Sequence, residues 1–202
     1  PQFPFEAVVV LPLPFAGEKG ANLLPAAQEL RAVPPLRIFR VRHRHALRIP
    51  AVPGILGGLT LAVAESCTGG LIGHRLTNVT GSSDYFIEGA VTYSNGAKTK
   101  RLGVGDDLLE RYGAVSREVA LAMAEGIRKT AGADIGLAVT GIAGPTGATV
   151  QKPLGLTFIA VSGKDSADCE QFQFYQDRVR NKERAAQAAL NLLRLWLMKI
   201  GS

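Results

Sequence analysis

Nine of the eleven prolines in the chain lie before residue 58, and regular hydrophobic patterning begins only after it. Proline removes a backbone donor and fixes φ, so it interrupts helix and strand alike. Short stretches of the first part still read as a strand over Ala7–Leu11, a helix over Asn22–Ala32 and a strand over Leu36–Val41, in patterns that prolines within or beside them interrupt. Residues 1–58 are therefore read as an appendage, the remnant of a preceding domain, and residues 59–202 as one domain. With 202 residues the chain is long enough for one α/β domain with a buried core and some extra.

From Leu59 the signals are coherent. Leu59–Ala64 is a short apolar run suited to a buried strand. Thr68–Val79 has helical spacing at Leu71, Ile72, Leu76 and Val79, and Phe86–Tyr93 reads as a second strand. Ser116 is placed to cap a helix running through Thr130, which Gly132 ends. Ile135–Val139 is a third strand, residues 140–155 a Gly-rich loop, Leu156–Ser162 a fourth strand and Glu170–Tyr175 a fifth. Residues 179–200 form a long helix with apolar positions at Ala186, Leu190, Leu193, Leu197 and Ile200.

Helices between the early strands predict three parallel strands; the absence of a helix between strands three, four and five predicts antiparallel neighbours. Strands one, two, three and five then end on one side of the sheet. Ser66, Tyr93, Thr140 and Arg178 follow those ends, and open α/β sheets take ligands there.

Composition narrows the function. The chain is 47% hydrophobic and 20% charged, which excludes collagen, coiled coil and wholesale disorder. Two cysteines and three histidines exclude a disulfide scaffold and make the common His-rich metal sites a poor fit. The uncharged run Ile49–Ala64 is broken by Pro50, Pro53, Gly54, Gly57 and Gly58 and falls short of the ~20 residues of a membrane span. No Lys or Arg precedes the apolar run Ala7–Phe15, so the positive region of a signal peptide is missing. The expected compartment is the cytoplasm. The chain begins at Pro1 rather than Met, as a fragment or a processed product would. Net charge is +6, and Arg31, Arg37, Arg40, Arg42, Arg44 and Arg48 account for it, with no acid among residues 31–50. That segment fits nucleic acid, but a solvated edge or tail is the favoured reading.

Four constellations can carry chemistry. In A-E-S-C-T-G-G, Ala64 to Gly70, a strand ends, a small polar residue sits at the turn and a helix starts. Ser66 there is a candidate nucleophile, with the N–H groups of Thr68 and Gly69 as an oxyanion hole. The simpler alternative, which the local pattern alone favours, is that Ser66 or Thr68 caps the helix. Cys67 is a rival nucleophile without an evident base. In V-T-Y-S-N-G-A-K, Val91 to Lys98, the lysine can replace histidine as base if burial helps it lose a proton, with Tyr93 relaying the proton or orienting the amine. The alternative is a surface lysine beside a packed tyrosine. The loop from Thr140 to Gly155 carries Gly141, Gly144 and Gly147. It matches neither G-x-G-x-x-G nor a P-loop, and it either approaches a phosphate or simply connects two strands. In Q-D-R-V-R-N-K, Gln176 to Lys182, Arg178 and Lys182 share a helical face and could clamp a phosphate; a solvated helix start is the commoner case.

Taken together these motifs resemble one family, the C-terminal domain of the CinA (competence/damage-inducible) proteins, also found as the stand-alone nicotinamide-nucleotide amidase. The matching segments are L-A-V-A-E-S-C-T-G-G, V-T-Y-S-N-G-A-K, L-G-V, G-A-V-S-R-E-V-A, V-T-G-I-A-G-P-T-G, K-P-L-G and D-R-V-R-N-K, in the family's order.

The resemblance implies a three-layer α/β/α sandwich with a mixed, mostly parallel sheet. It implies hydrolysis of nicotinamide mononucleotide to nicotinate mononucleotide and ammonia, with Ser66 as nucleophile and Tyr93 and Lys98 as its partners. Thr68, Gly69, Gly70, Thr140, Gly141 and Gly144 fall in the substrate-binding segments, and Arg178 matches a nucleotide-binding arginine. No metal and no cofactor are implied. The expected partners are a small-molecule nucleotide and a second copy of the chain, with no membrane. The alternative is a non-catalytic nucleotide- or protein-binding module of competence or the DNA-damage response. Three departures stand out. Pro50 and Pro53 disrupt the region where the family has a long amphipathic helix, Ala148 replaces the loop's usual second glycine, and Gln176 replaces a glycine before the Asp-Arg pair. The nucleotide-hydrolysing, molybdopterin-binding-like first domain of full-length CinA proteins does not fit in 58 residues.

Overall fold

A computed structural model describes residues 56–200. The elements expected before Ile49, the basic Arg37–Arg48 segment and all but the last three residues of the expected appendage lie outside that range.

The described chain runs β1 (Leu61–Glu65), α1 (Leu71–Thr77), β2 (Phe86–Val91), α2 (Asn95–Leu102), α3 (Asp106–Tyr112), α4 (Arg117–Ala131), β3 (Ile135–Gly141), β4 (Leu156–Ser162), β5 (Ala167–Gln173) and α5 (Arg178–Ile200). The sheet order is β2-β1-β3-β4-β5. β1 pairs in parallel with β2 and β3, while β4 is antiparallel to both β3 and β5. Four of the five strands therefore point one way, and β1, β2, β3 and β5 finish on one rim, as their connections predict.

The two faces of the sheet differ in residue size. Alternate residues of a strand point to opposite faces. Leu61, Val63, Leu137, Val139, Ile159 and Val161 form one face, packed in a core with Ile72 and Leu76 of α1 and Ala186, Ala189, Leu190, Leu193 and Leu197 of α5. Ala62, Ala64, Ala138 and Ala160 form the other, under Val119, Ala120, Met123, Ala124 and Ile127 of α4 with Leu102 and Leu109. The small face brings α4 very close. A Cβ on Gly136 would lie 2.0 Å from the Ala124 carbonyl oxygen, so only glycine fits there. Each fully buried Leu, Ile or Val contributes about 1.5–3 kcal/mol by leaving water.

Several boundaries move from their expected places. α1 begins at Leu71 rather than Thr68, because Gly69 and Gly70 take φ of +62° and +95° and cannot continue a right-handed helix. β1 ends at Glu65 and β2 at Val91. β5 starts at Ala167, earlier than Glu170, since it is an edge strand whose polar residues hide its pattern. α4 keeps its expected caps: the Ser116 hydroxyl accepts from the Val119 N–H, and Gly132 closes the helix in the left-handed region. α3 was not anticipated. Among the described residues no helix is long and apolar enough to cross a membrane.

Candidate active site

Ser66 is the first residue past β1, and its backbone is held on both sides. Its N–H donates to the Val139 carbonyl of β3 (3.0 Å), and its carbonyl accepts from the Gly69 N–H (3.2 Å). The residue is buried, and its hydroxyl accepts from Lys98 Nζ at 3.2 Å. Neither Ser66 nor Thr68 caps α1. Glu65 does so from the opposite side of the turn: Oε2 accepts from the Gly70 and Ile72 N–H groups (2.9 and 3.1 Å) and Oε1 from the Gly73 N–H (2.8 Å). A carboxylate at a helix N-terminus answers both its unpaired donors and its partial positive charge.

This arrangement corrects one half of the expected oxyanion hole, the Gly69 N–H. The Gly69 N–H faces the Ser66 carbonyl and the Gly70 N–H faces Glu65, so neither is free for a ligand. Thr68 is different. Its hydroxyl is buried and has no hydrogen-bond partner among the described residues. Buried polar groups are seldom left so.

Lys98 reaches Ser66 from α2. The Ser94 hydroxyl caps that helix by accepting from the Ala97 N–H, which sets Lys98 in its first turn. Only 1% of the lysine is exposed. Besides Ser66 Oγ, its Nζ donates to the carbonyls of Thr92 (2.9 Å) and Tyr93 (3.2 Å). Burial pushes the ammonium below the ordinary lysine range, and the neighbouring Cys67 opposes that shift. Cys67 itself is buried in the core, and burial pushes its thiol up to about 12. Burial thus disfavours its thiolate, and it is the Ser66 hydroxyl, beside it in the chain, that takes the hydrogen bond from Lys98.

Tyr93 orients the lysine, but through its carbonyl. Its side chain is exposed, and the phenol accepts from Arg178 Nη2 at 2.9 Å rather than meeting Lys98 or Ser66. Arg178 also donates from Nη1 to the Gly144 carbonyl (2.6 Å). The segments after β1, β2, β3 and β5 thus meet at one rim, as the strand directions require.

Toward α5 the Gly-rich loop acts as an acceptor. Carbonyls of Ala143 and Gly144 take donors from Asn181 and Arg178. The Thr140 hydroxyl is buried and donates to the Ala114 carbonyl (2.7 Å), which ties β3 to the start of α4. A Cβ on Gly141 would lie 2.7 Å from the Thr157 hydroxyl oxygen of β4, so close strand packing explains that glycine. Asn181, buried on α5, donates to the carbonyls of Ala143 and Gln176 and accepts from the Gln176 N–H. It joins the loop to the helix start, which Asp177 caps by accepting from the N–H groups of Val179 and Arg180. Gln176 enters this network through its backbone.

Lys182 does not share the direction of Arg178. Its Nζ would lie 3.6 Å from a Cβ on Gly69, and it lines a cavity of about 360 Å³ with Thr68, His74 and Glu183. That volume falls within the ~300–1,000 Å³ of small-molecule sites. Among the described residues no group of three or more His, Cys, Asp or Glu is placed to hold a metal ion.

Sequence reasoning missed Glu65 and Asn181. A carboxylate directly before the Ser-Cys-Thr-Gly-Gly turn, at the end of an otherwise apolar strand, was a readable signal for the first. A poor helix former in the first turn of a long helix was one for the second.

Residues 55–197 match the family model of the CinA C-terminal domain. A competence-damage inducible protein of Caldicellulosiruptor saccharolyticus is 56% identical over 137 residues, covering 68% of this chain and 33% of that one. A CinA-like protein of Geotalea daltonii is 53% identical over 141 residues, covering 70% of this chain and 34% of its own length. The chain spans about a third of the length of the curated relatives it matches. Among solved structures, the competence/damage inducible protein CihA of Agrobacterium tumefaciens superposes with a TM-score of 0.67 at 41% identity, covering 69% of this chain and 86% of that one.

Proposed function

Because the chain belongs to the CinA C-terminal domain family, we propose that it hydrolyses the carboxamide of nicotinamide mononucleotide, giving nicotinate mononucleotide and ammonia. The observation that carries this reading is the cage around Lys98. An ammonium has three donors, and Nζ has three oxygen partners: two backbone carbonyls and Ser66 Oγ. Once neutral, the amine keeps its two N–H bonds to Thr92 and Tyr93 and turns its lone pair on the Ser66 hydroxyl. Burial that disfavours the charged form supports that state.

In this mechanism Ser66 Oγ bonds to the amide carbon while its proton passes to Lys98 Nζ. Thr68, two residues after Ser66 and carrying a buried, unpartnered hydroxyl, donates to the oxyanion. The C–N bond breaks as Lys98 returns the proton to the leaving nitrogen, which departs as ammonia. Water then attacks the acyl-serine and gives a proton to Lys98. The ester C–O bond breaks, and that proton restores the Ser66 hydroxyl. Arg178 takes the 5′-phosphate: two of its five donors go to Gly144 and Tyr93, and the residue is exposed. The cavity beside Gly69, with Lys182 on its wall, receives a further part of the nucleotide.

The test is ammonia release from nicotinamide mononucleotide by wild type and Ser66→Ala. Release by wild type and its loss in a folded Ser66→Ala protein are expected. Binding of the nucleotide without release by wild type would favour the non-catalytic module instead.

A further inference from the structure

We infer that Glu65 is a positioning residue for this site, holding Ser66 and the Lys98 cage in register from one point of the chain. The inference rests on the reading of Ser66 as nucleophile. Glu65 is 2% exposed, and its carboxylate is taken up by backbone N–H groups. It is fixed at both ends. Its carboxylate takes three N–H groups at the start of α1. Its own carbonyl accepts from the Thr92 N–H (2.8 Å), and the Thr92 carbonyl is one wall of the Lys98 cage.

The dependence follows from what surrounds it. α1 has seven residues, too few to be stable alone, and Gly69 and Gly70 leave the turn before it flexible in principle. The carboxylate closes that turn into a loop, which the two backbone bonds of Ser66 and its contact with Lys98 also tie. A neutral amide at position 65 keeps the volume but offers one acceptor oxygen, and its NH₂ would confront a backbone donor. The turn would then loosen by the fraction of an ångström that separates a 3.2 Å hydroxyl–amine contact from none. Misplacement of about 1 Å lowers rates by up to ~100-fold.

The experiment uses wild type, Glu65→Gln, Glu65→Asp and, as a stability control away from the turn, Gly136→Ala. The rate at which a fluorophosphonate modifies Ser66 is followed by intact mass below each protein's melting temperature. Amide exchange at Gly70, Ile72 and Gly73 and the Kd for nicotinamide mononucleotide are measured alongside. Glu65→Gln should label about 10- to 100-fold more slowly and lose exchange protection at those three amides, with a smaller fold-change in nucleotide Kd than in labelling rate. Gly136→Ala should melt lower yet label as wild type does. If Glu65→Gln does not fold, Glu65→Asp carries the test, since it keeps the charge but retracts by about 1.5 Å and should also label slowly. Wild-type labelling in a folded Glu65 variant overturns the inference, and so does a loss matched by Gly136→Ala. Ammonia release separates the two readings. A wild type that labels at Ser66 but releases no ammonia removes the substrate assignment and leaves the Glu65 result standing. A wild type that does not label overturns both.

Discussion

Replacing Lys98 by arginine separates a base from a charge. The amine is 1% exposed and has three oxygen partners at 2.9–3.2 Å, two of them main-chain carbonyls. Arginine can meet all three as a donor but stays protonated, so it can never accept the Ser66 proton. Methionine removes the donor and the base together. A positioned general base contributes ~10²–10⁴ in rate. If Lys98 acts in that way, both variants should lose that factor in kcat, and arginine should recover almost none of it. Wild-type kcat/KM should rise with pH as Lys98 deprotonates. The midpoint should lie below the ordinary lysine value of ~10.4, because burial lowers it. The assay is ammonia release across pH 6–10, with circular dichroism to confirm folding. A Lys98→Arg protein within about tenfold of wild type, or a flat profile over that range, would refute the role as base and leave Lys98 as a fixed positive charge.

The other predictions follow from the same geometry. Arg178→Ala should raise the KM for nicotinamide mononucleotide by roughly 10- to 100-fold, since a charge-assisted hydrogen bond is worth ~1.5–3 kcal/mol; the phosphate-free riboside should change little, and equal losses for both ligands would make Arg178 structural. Tyr93→Phe should leave kcat within about threefold, because the lysine is held by the Tyr93 carbonyl and the phenol pairs with Arg178 instead; a kcat loss of 100-fold would restore the phenol as a proton carrier. Gly136→Ala should destabilise by about 1–3 kcal/mol in urea unfolding, the range for overpacking, because its Cβ would strike the Ala124 carbonyl; an unchanged midpoint would show that α4 moves away freely. Stability relative to Lys98→Met should rise with pH between the lowered folded value and ~10.4. In that window the unfolded chain holds the extra proton. A falling difference would contradict the burial of a neutral amine.

What the sequence makes legible divides along a physical line. β4 lies at its expected Leu156–Ser162 and α4 between its expected caps, because hydrophobic period and capping chemistry are properties of side chains. The topology was readable for a related reason: the presence or absence of a helix between strands decides their direction. The rim that gathers Ser66, Lys98, Tyr93, Gly144 and Arg178 follows from that direction alone. What stayed hidden is carried by the main chain. Glu65 caps three N–H groups, Lys98 rests on two carbonyls, and Arg178 and Asn181 hold the loop through carbonyls of Gly144 and Ala143. A backbone atom has no letter in the sequence, so Tyr93 could be singled out while the part of it that meets the lysine could not. The same fact says where the site should tolerate change. The walls of the Lys98 cage come from peptide groups of residues 92 and 93, so side chains at those positions can vary while the cage persists. Positions 65, 66 and 98 cannot, because there the side chain itself makes the bond.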